Sequence, residues 1–343
     1  MRRRTRTLGE MLCTRHSATR WRAAIALVVA VVAVSAVPVP PASAKGSRPC
    51  GDAVRRISGS VDDVPVLFVH GFAGGPSNFR AEHDDRPSML ERVGGVRGVA
   101  TYTFSYSAHS LAWVTDPAVG PALADAITCV ADQHAHRVVV VAHSMGGLAA
   151  QFAQGQAVDG QPVGGLIERV ITVGTPFDGA QLLSFASGAG GVIFKEISEA
   201  ALDRCDRADR QRRARNFCGL LGTTETPAVQ AMIPGSASLD ALPPWQPHLA
   251  RYPIAGDIDV TVGAFGLEQV FGVGDLAVSV DSAVAGASLG VAPFVAVCHS
   301  SLFDLFTAID DSPCSHTNEL ANRRVERRVR DLVRDAVRDA PAR

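Results

Sequence analysis

An α/β domain with a mostly parallel central sheet and helices on both faces is the fold the sequence predicts, and three observations carry it. Short apolar runs alternate with segments of helical period along most of the chain. The central run, Val138 to Val141, is four consecutive valines, the composition of a strand covered on both faces. The runs also empty into glycine-rich turns, at His70-Gly71-Phe72-Ala73-Gly74-Gly75 and at His143-Ser144-Met145-Gly146-Gly147. No internal repeat points to a solenoid or propeller.

The chain opens with seven arginines between Arg2 and Arg22, then the apolar run Ala23 to Val37, three prolines and Ala42-Ser43-Ala44. A basic lead, an apolar run too short to span a bilayer comfortably and an A-x-A site predict a signal peptide over 1–44, cleaved after Ala44, and a secreted product. Initiation at Met11 and retention as an uncleaved anchor are the alternatives. Residues 45–343 then form one domain. Removing 1–44 takes away seven Arg and one Glu, leaving 26 basic against 33 acidic residues and a net charge of −7. That balance favours solubility and gives no reason to expect nucleic acid.

In chain order, Pro65 to Val69 reads as a buried strand ending in the first glycine-rich turn, and Arg86 to Val93 as helical cover. Val99 to Tyr106, rich in β-branched and aromatic residues, reads as the next strand. From Ala118 to Gln133, Val119, Leu123, Ala126, Ile127 and Val130 fall on one helical face, with Pro117 as the start signal. Strand, helix and the valine strand together predict a right-handed βαβ unit. Leu148 to Gln156 continues a helix after the turn, and Val170 to Val173 forms a strand ending in Gly174-Thr175-Pro176. Asn322 to Arg338 is an arginine-rich final helix.

Ser144 sits at the corner between the valine strand and a helix, where Gly146 and Gly147 remove the side chains that would collide. Ala142-His143-Ser144-Met145-Gly146 resembles the nucleophile elbow of secreted bacterial α/β-hydrolases of the lipase/esterase type, with Ala142 in place of the first glycine. The resemblance covers most of residues 60–338 and implies an α/β-hydrolase fold with an inserted lid. It makes Ser144 the nucleophile and assigns the oxyanion-holding N–H groups to Phe72 and Met145. His70 takes a supporting role in the loop. The change of character from about 180 to 247 marks the lid: the loose stretch Gly188 to Gly191, six arginines at 204, 207, 210, 212, 213 and 215, then prolines at 234, 243, 244 and 247. Those arginines are the signature of a solvated face before they are one of an anionic lipid surface.

In that fold the triad runs serine, acid, histidine, so the partners follow Ser144. This excludes His70, His109, His134 and His136, and His248 precedes the expected acid. His316, in Cys314-Ser315-His316-Thr317 just ahead of the final helix, is preferred over His299, which reads as part of a strand end. Gly274-Asp275-Leu276-Ala277-Val278 resembles the Gly-Asp-Gly-x-Val loop of secreted lipases and puts Asp275 first as the acid. Asp257, directly after an apparent strand, comes second and Asp281 third. Together these residues imply a serine hydrolase for carboxylic esters, acting on an ester or lipid substrate; an acyltransferase or amidase would use the same triad.

Six cysteines remain after the signal, allowing 15 pairings. Sequence proximity suggests Cys205–Cys218 and Cys298–Cys314, which leaves Cys50–Cys129; the short loops would each contribute about 3 kcal/mol. No C-x-x-C or H-E-x-x-H spacing marks a metal site, and His134 with His136 reads as a solvated helix end. No cofactor and no stable protein partner are expected; a calcium ion like that of some lipases would draw on Asp257, Asp259, Asp310 and Asp311.

Overall fold

The computed structural model describes residues 50–80, 86–181, 226–264, 267–301 and 312–340. The expected signal peptide, most of the expected lid with Cys205 and Cys218, and Asp310 and Asp311 lie outside the described residues.

The strands are β1 (Val54–Ser58), β2 (Val64–Val69), β3 (Val99–Phe104), β4 (Val138–His143), the two-residue pair β5 (Ala157–Val158) and β6 (Gln161–Pro162), β7 (Ile167–Val173), β8 (Ala250–Ala264), β9 (Leu267–Gly272) and β10 (Phe294–Ser301). Apart from the β5–β6 hairpin they form one eight-stranded sheet in the order β1-β3-β2-β4-β7-β8-β10, with β9 also beside β8. β2, β3, β4, β7, β8 and β10 are mutually parallel, while β1 and β9 run antiparallel at the margins. The helices are α1 (Met89–Gly94), α2 (Gly120–Gln133), α3 (Met145–Gln154), α4 (Pro227–Ala231), α5 (Ala237–Asp240), α6 (Val280–Val284) and α7 (Arg323–Asp339).

The valine strand shows why the fold needs that composition. Side chains alternate along a strand, so Val138 and Val140 enter one core with α2 and α3, while Val139 and Val141 enter the other with α1 and α7. All four are fully buried. α7 supplies the complementary case. Val325, Val329, Leu332 and Val333 fall on one buried face and each contribute about 1.5–3 kcal/mol, while of the arginines between them Arg327 is exposed and Arg328 and Arg330 are half-buried. Its start is fixed by Asn322, whose side chain accepts the Arg324 N–H at 2.9 Å. α1 starts on a capping box in which Ser88 and Glu91 satisfy each other's backbone N–H groups.

Three local expectations are corrected. α2 begins at Gly120, with Pro121 in its first turn, because Val119 and Pro117 belong to the preceding turn. His134 is not solvated: it is buried at the end of α2, held between the Tyr102 hydroxyl and the Asp63 carbonyl, each at 2.8 Å. Burial accordingly lowers its pKa. β8 does not stop ahead of Asp257 but runs on to Ala264, so Asp257 lies within a strand, where its carboxylate accepts the Gly274 N–H at 3.0 Å. In the βαβ unit, β3 and β4 are not neighbours but flank β2.

The described end of the expected lid, residues 226–247, is packed on the body. Ala228, Val229, Ala231, Met232 and Leu239 join the core beside α2 and α3. The Gln151 and Gln154 side chains of α3 donate to the Pro243 and Pro244 carbonyls. Cys50–Cys129 and Cys298–Cys314 are disulfide-bonded. Among the described residues no helix is long and apolar enough to cross a membrane.

Candidate active site

β2, β4 and β7 end together, and their carboxyl ends open the crevice in which open α/β sheets place their ligands. Between β4 and α3 the chain reverses at Ser144, which has φ 53° and ψ −132°. A side chain is rarely held in that region without function, and here the surroundings impose it. The Ser144 N–H donates to the Val173 carbonyl, and its own carbonyl accepts from Gly147 N–H and from the Thr175 hydroxyl. Cβ atoms at Gly146 and Gly147 would run into the His70 carbonyl and the Thr175 side chain, so both glycines are required.

His316 brings its Nε2 to 2.7 Å from Ser144 Oγ, and its Nδ1 lies 2.7 Å from Asp275 Oδ2. The Nδ1 proton therefore faces the carboxylate and the Nε2 lone pair faces the serine hydroxyl, an assignment made from the network. Asp275 is held rigidly. Its Oδ1 accepts the N–H groups of Ala277 and Val278, and the carbonyl of Asp275 accepts the His316 N–H at 2.9 Å. The other candidates are elsewhere: Asp257 inside β8, Asp281 exposed in the first turn of α6, and His299 on β10, exposed and 3.4 Å from Asp259. His248 and His109 are exposed. Of the carboxylates considered for calcium, Asp257 and Asp259 thus face Gly274 and His299, and the other two lie outside the described residues.

Gly71 lies against Ser144: a Cβ there would stand 2.7 Å from Ser144 Cβ and 3.0 Å from the His143 carbonyl. The loop carrying the Phe72 N–H can approach Ser144 only because residue 71 has no side chain. Met145 opens α3, so its N–H is among the donors a helix leaves without an internal acceptor. His70 braces this loop from below. Its Nε2 accepts the Tyr106 N–H at 3.1 Å, its Nδ1–H donates to the Gly71 carbonyl at 3.0 Å, and the two rings stack at 4.0 Å. Burial pushes the His70 pKa down to about 4, so the ring is a neutral strut.

Two residues at the site escaped sequence reasoning. His143, beside Ser144, donates from Nε2 to the His316 carbonyl at 3.0 Å, and burial, helped by the neighbouring His316, lowers its pKa to about 3. Glu319 is fully buried beside His316 and Asp275. In the sequence it looks like an ordinary acid ahead of α7, and only its i+3 spacing from His316 hinted at a shared turn. Ligand atoms of His143, His316 and Glu319 lie within 4.8 Å of one another. They do not suit a cation, because His316 Nδ1 is committed to Asp275 and His143 Nε2 to a carbonyl.

A strained corner serine, a histidine and an aspartate at the carboxyl edge of a mixed, mostly parallel sheet define the class of α/β-hydrolase folds. The chain belongs to the alpha/beta hydrolase family, whose family profile matches residues 66–285. Among solved structures it is similar to the mature form of the lipase BlEst2 of Bacillus licheniformis, at 18% identity and a TM-score of 0.50, over 83% of this chain and 99% of that one. The propeptide form of the same lipase matches with the same identity and TM-score, over 83% of this chain and 54% of that one. Lipase B of Aspergillus fumigatus follows at 15% identity and a TM-score of 0.47, over 82% and 56% of the two chains. Likeness at these identities concerns the fold alone. No curated protein matches the sequence.

Proposed function

We propose that the protein is a secreted serine hydrolase of carboxylic esters, a lipase or carboxylesterase, with Ser144 as nucleophile, His316 as general base and acid, and Asp275 as orienting acid. The observation that carries this reading is the unbroken relay Ser144 Oγ, His316 Nε2, His316 Nδ1, Asp275 Oδ2, with both links at 2.7 Å. Ser144 Oγ attacks the ester carbonyl carbon while its proton passes to His316 Nε2, and Asp275 stabilises the imidazolium that results. The negative charge on the former carbonyl oxygen meets the N–H groups of Phe72 and Met145. His316 then protonates the departing alkoxide. Water, deprotonated by the same nitrogen, attacks the acyl-enzyme, releases the acid and returns the proton to Ser144.

Export fits the arginine-led apolar segment ending at Ala44, and the two described disulfides suit an oxidising compartment. The test is hydrolysis of p-nitrophenyl esters from acetate to palmitate by the mature protein beside Ser144→Ala. The variant is expected to fold and to lose turnover on every ester. Turnover unchanged by the substitution would overturn the assignment. Rates rising toward palmitate identify a lipase, and rates confined to short chains an esterase. Product analysis with an added alcohol separates hydrolysis from acyl transfer.

A further inference from the structure

The carboxyl group of Glu319 has no part in the reaction just described, yet it stands at its centre. Oε1 is 3.8 Å from His316 Nδ1 and 3.5 Å from His143 Nε2, and neither carboxyl oxygen meets a hydrogen-bond donor in bonding geometry. A side chain at Gly174, after β7, would run into both Glu319 Oε1 and Asp275 Oδ2, so the two carboxyls converge on the space this glycine leaves.

The groups facing Glu319 are His143 from β4, His316 and Asp275 from their loops, and the backbone of Gly174 and of Gly256 in β8. Neither carboxyl is ion-paired with an arginine or lysine among the described residues. His143 is no counter-charge, since its buried ring is neutral and its Nε2–H is spent on the His316 carbonyl. Two carboxylates packed around one imidazole without a cation cannot both ionise. The hydrogen bonds decide which does. Asp275 accepts from Ala277 N–H, Val278 N–H and His316 Nδ1–H, whereas Glu319 accepts from none.

We propose that Asp275 and Glu319 hold one negative charge between them, with Glu319 the protonated member, a positioning residue that keeps the charge on Asp275 and takes it over when Asp275 is neutralised. Burial first, and the Asp275 charge second, hold the Glu319 carboxyl well above the ordinary range, while the Gly256 N–H opposes them without reaching bonding geometry. A proton on Glu319 supplies what the carboxylate lacked, because a neutral acid needs no cation in a dry site. The activity arm of the test rests on the Ser144–His316–Asp275 reading, and the stability arm does not.

The stability arm compares urea unfolding of the wild type and Glu319→Gln from pH 5 to 8. The folded wild type keeps a proton that the unfolded chain releases above the ordinary carboxyl range. Its unfolding constant therefore rises relative to Glu319→Gln, by up to about tenfold per pH unit below the raised folded pKa. A difference independent of pH, or one in which Glu319→Gln loses stability as pH rises, overturns the proposal.

The activity arm measures the kcat cost of Glu319→Gln in the native background and in Asp275→Asn. Its cost is expected to be at least about tenfold larger in the second, where Glu319 carries the charge for His316. Equal costs overturn the takeover. Turnover surviving Ser144→Ala would instead overturn the hydrolase reading, with the stability arm still in force. If Glu319→Gln does not fold, infrared spectroscopy of the wild type replaces it. A protonated-carboxyl C=O band persisting at pH 7 is expected, and its absence refutes the pair.

Discussion

Gly71→Ala is the most direct probe of the proposed oxyanion site. The new Cβ would stand 2.7 Å from Ser144 Cβ, and ordinary contact begins at 3.4 Å, so one of the two segments must give by about 0.7 Å. Ser144 is fixed on three sides by Val173, Gly147 and Thr175. The loop is the softer partner, and the Phe72 N–H moves with it. Losing one oxyanion donor costs about 10²–10³ in kcat, or about 3–4 kcal/mol of transition-state stabilisation. Because the donor acts on charge that develops only in the transition state, kcat should fall and KM should hold nearly constant. The assay is steady-state hydrolysis of p-nitrophenyl butyrate, with thermal melting to confirm folding. Gly165→Ala serves as the control, since a Cβ there meets nothing within 4 Å. A folded Gly71→Ala within about threefold of the wild-type kcat would refute the reasoning, because a donor placed for catalysis cannot tolerate such a shift.

Asp275→Asn should slow turnover about 10- to 100-fold, less than the ~10⁴ of a triad with no substitute acid, and far more than Asp257→Asn; the reverse order on the same ester would transfer the role to Asp257. Replacing Cys298 and Cys314 together by serine should lower stability by about 3 kcal/mol and reduce kcat, because Cys314 anchors the loop that presents His316 to β10; an unchanged melting temperature and kcat would show that the loop holds without it. Acid should weaken the fold through His70. Its folded pKa is about 4 against 6.5 unperturbed, so its contribution is complete above pH 6.5 and is lost as pH falls toward 4, up to about 3 kcal/mol. Urea midpoints measured from pH 7 to 4 should fall less steeply in His70→Asn; an identical slope would remove His70 from the account.

The parts of the fold that the residues announce are those where local chemistry leaves few options. Four valines in a row have no stable place except between two apolar layers, and the Ser144 corner follows because two glycines are spent where the chain turns. His316 and Asp275 were reached through resemblance, since a histidine before a helix and an aspartate in a turn are ordinary on their own. β1 and β9 left little signal: edge strands face solvent on one side, and Val270 and Phe271 of β9 are exposed. Asp257 misled for the opposite reason, because a carboxylate inside a strand is rare and Gly256 before it looks like a stop. Glu319 and His134 were illegible because burial of a polar group depends on partners distant in sequence, Asp275 and Gly256 for one, Tyr102 and Asp63 for the other.

β4, like its neighbours in the sheet, stands between the two cores, and Ser144 is the first residue beyond its end. The Ser144 hydroxyl therefore works as a gauge of the whole body. A methylene removed under α2 and one removed under α7 tilt the same short beam from opposite sides, and both tilts arrive at a relay with no slack in either link. Repacking one face for hardiness is then expected to disturb the proposed relay, and variants that redistribute volume evenly across β4 should tolerate more change than variants that place all of it on one side.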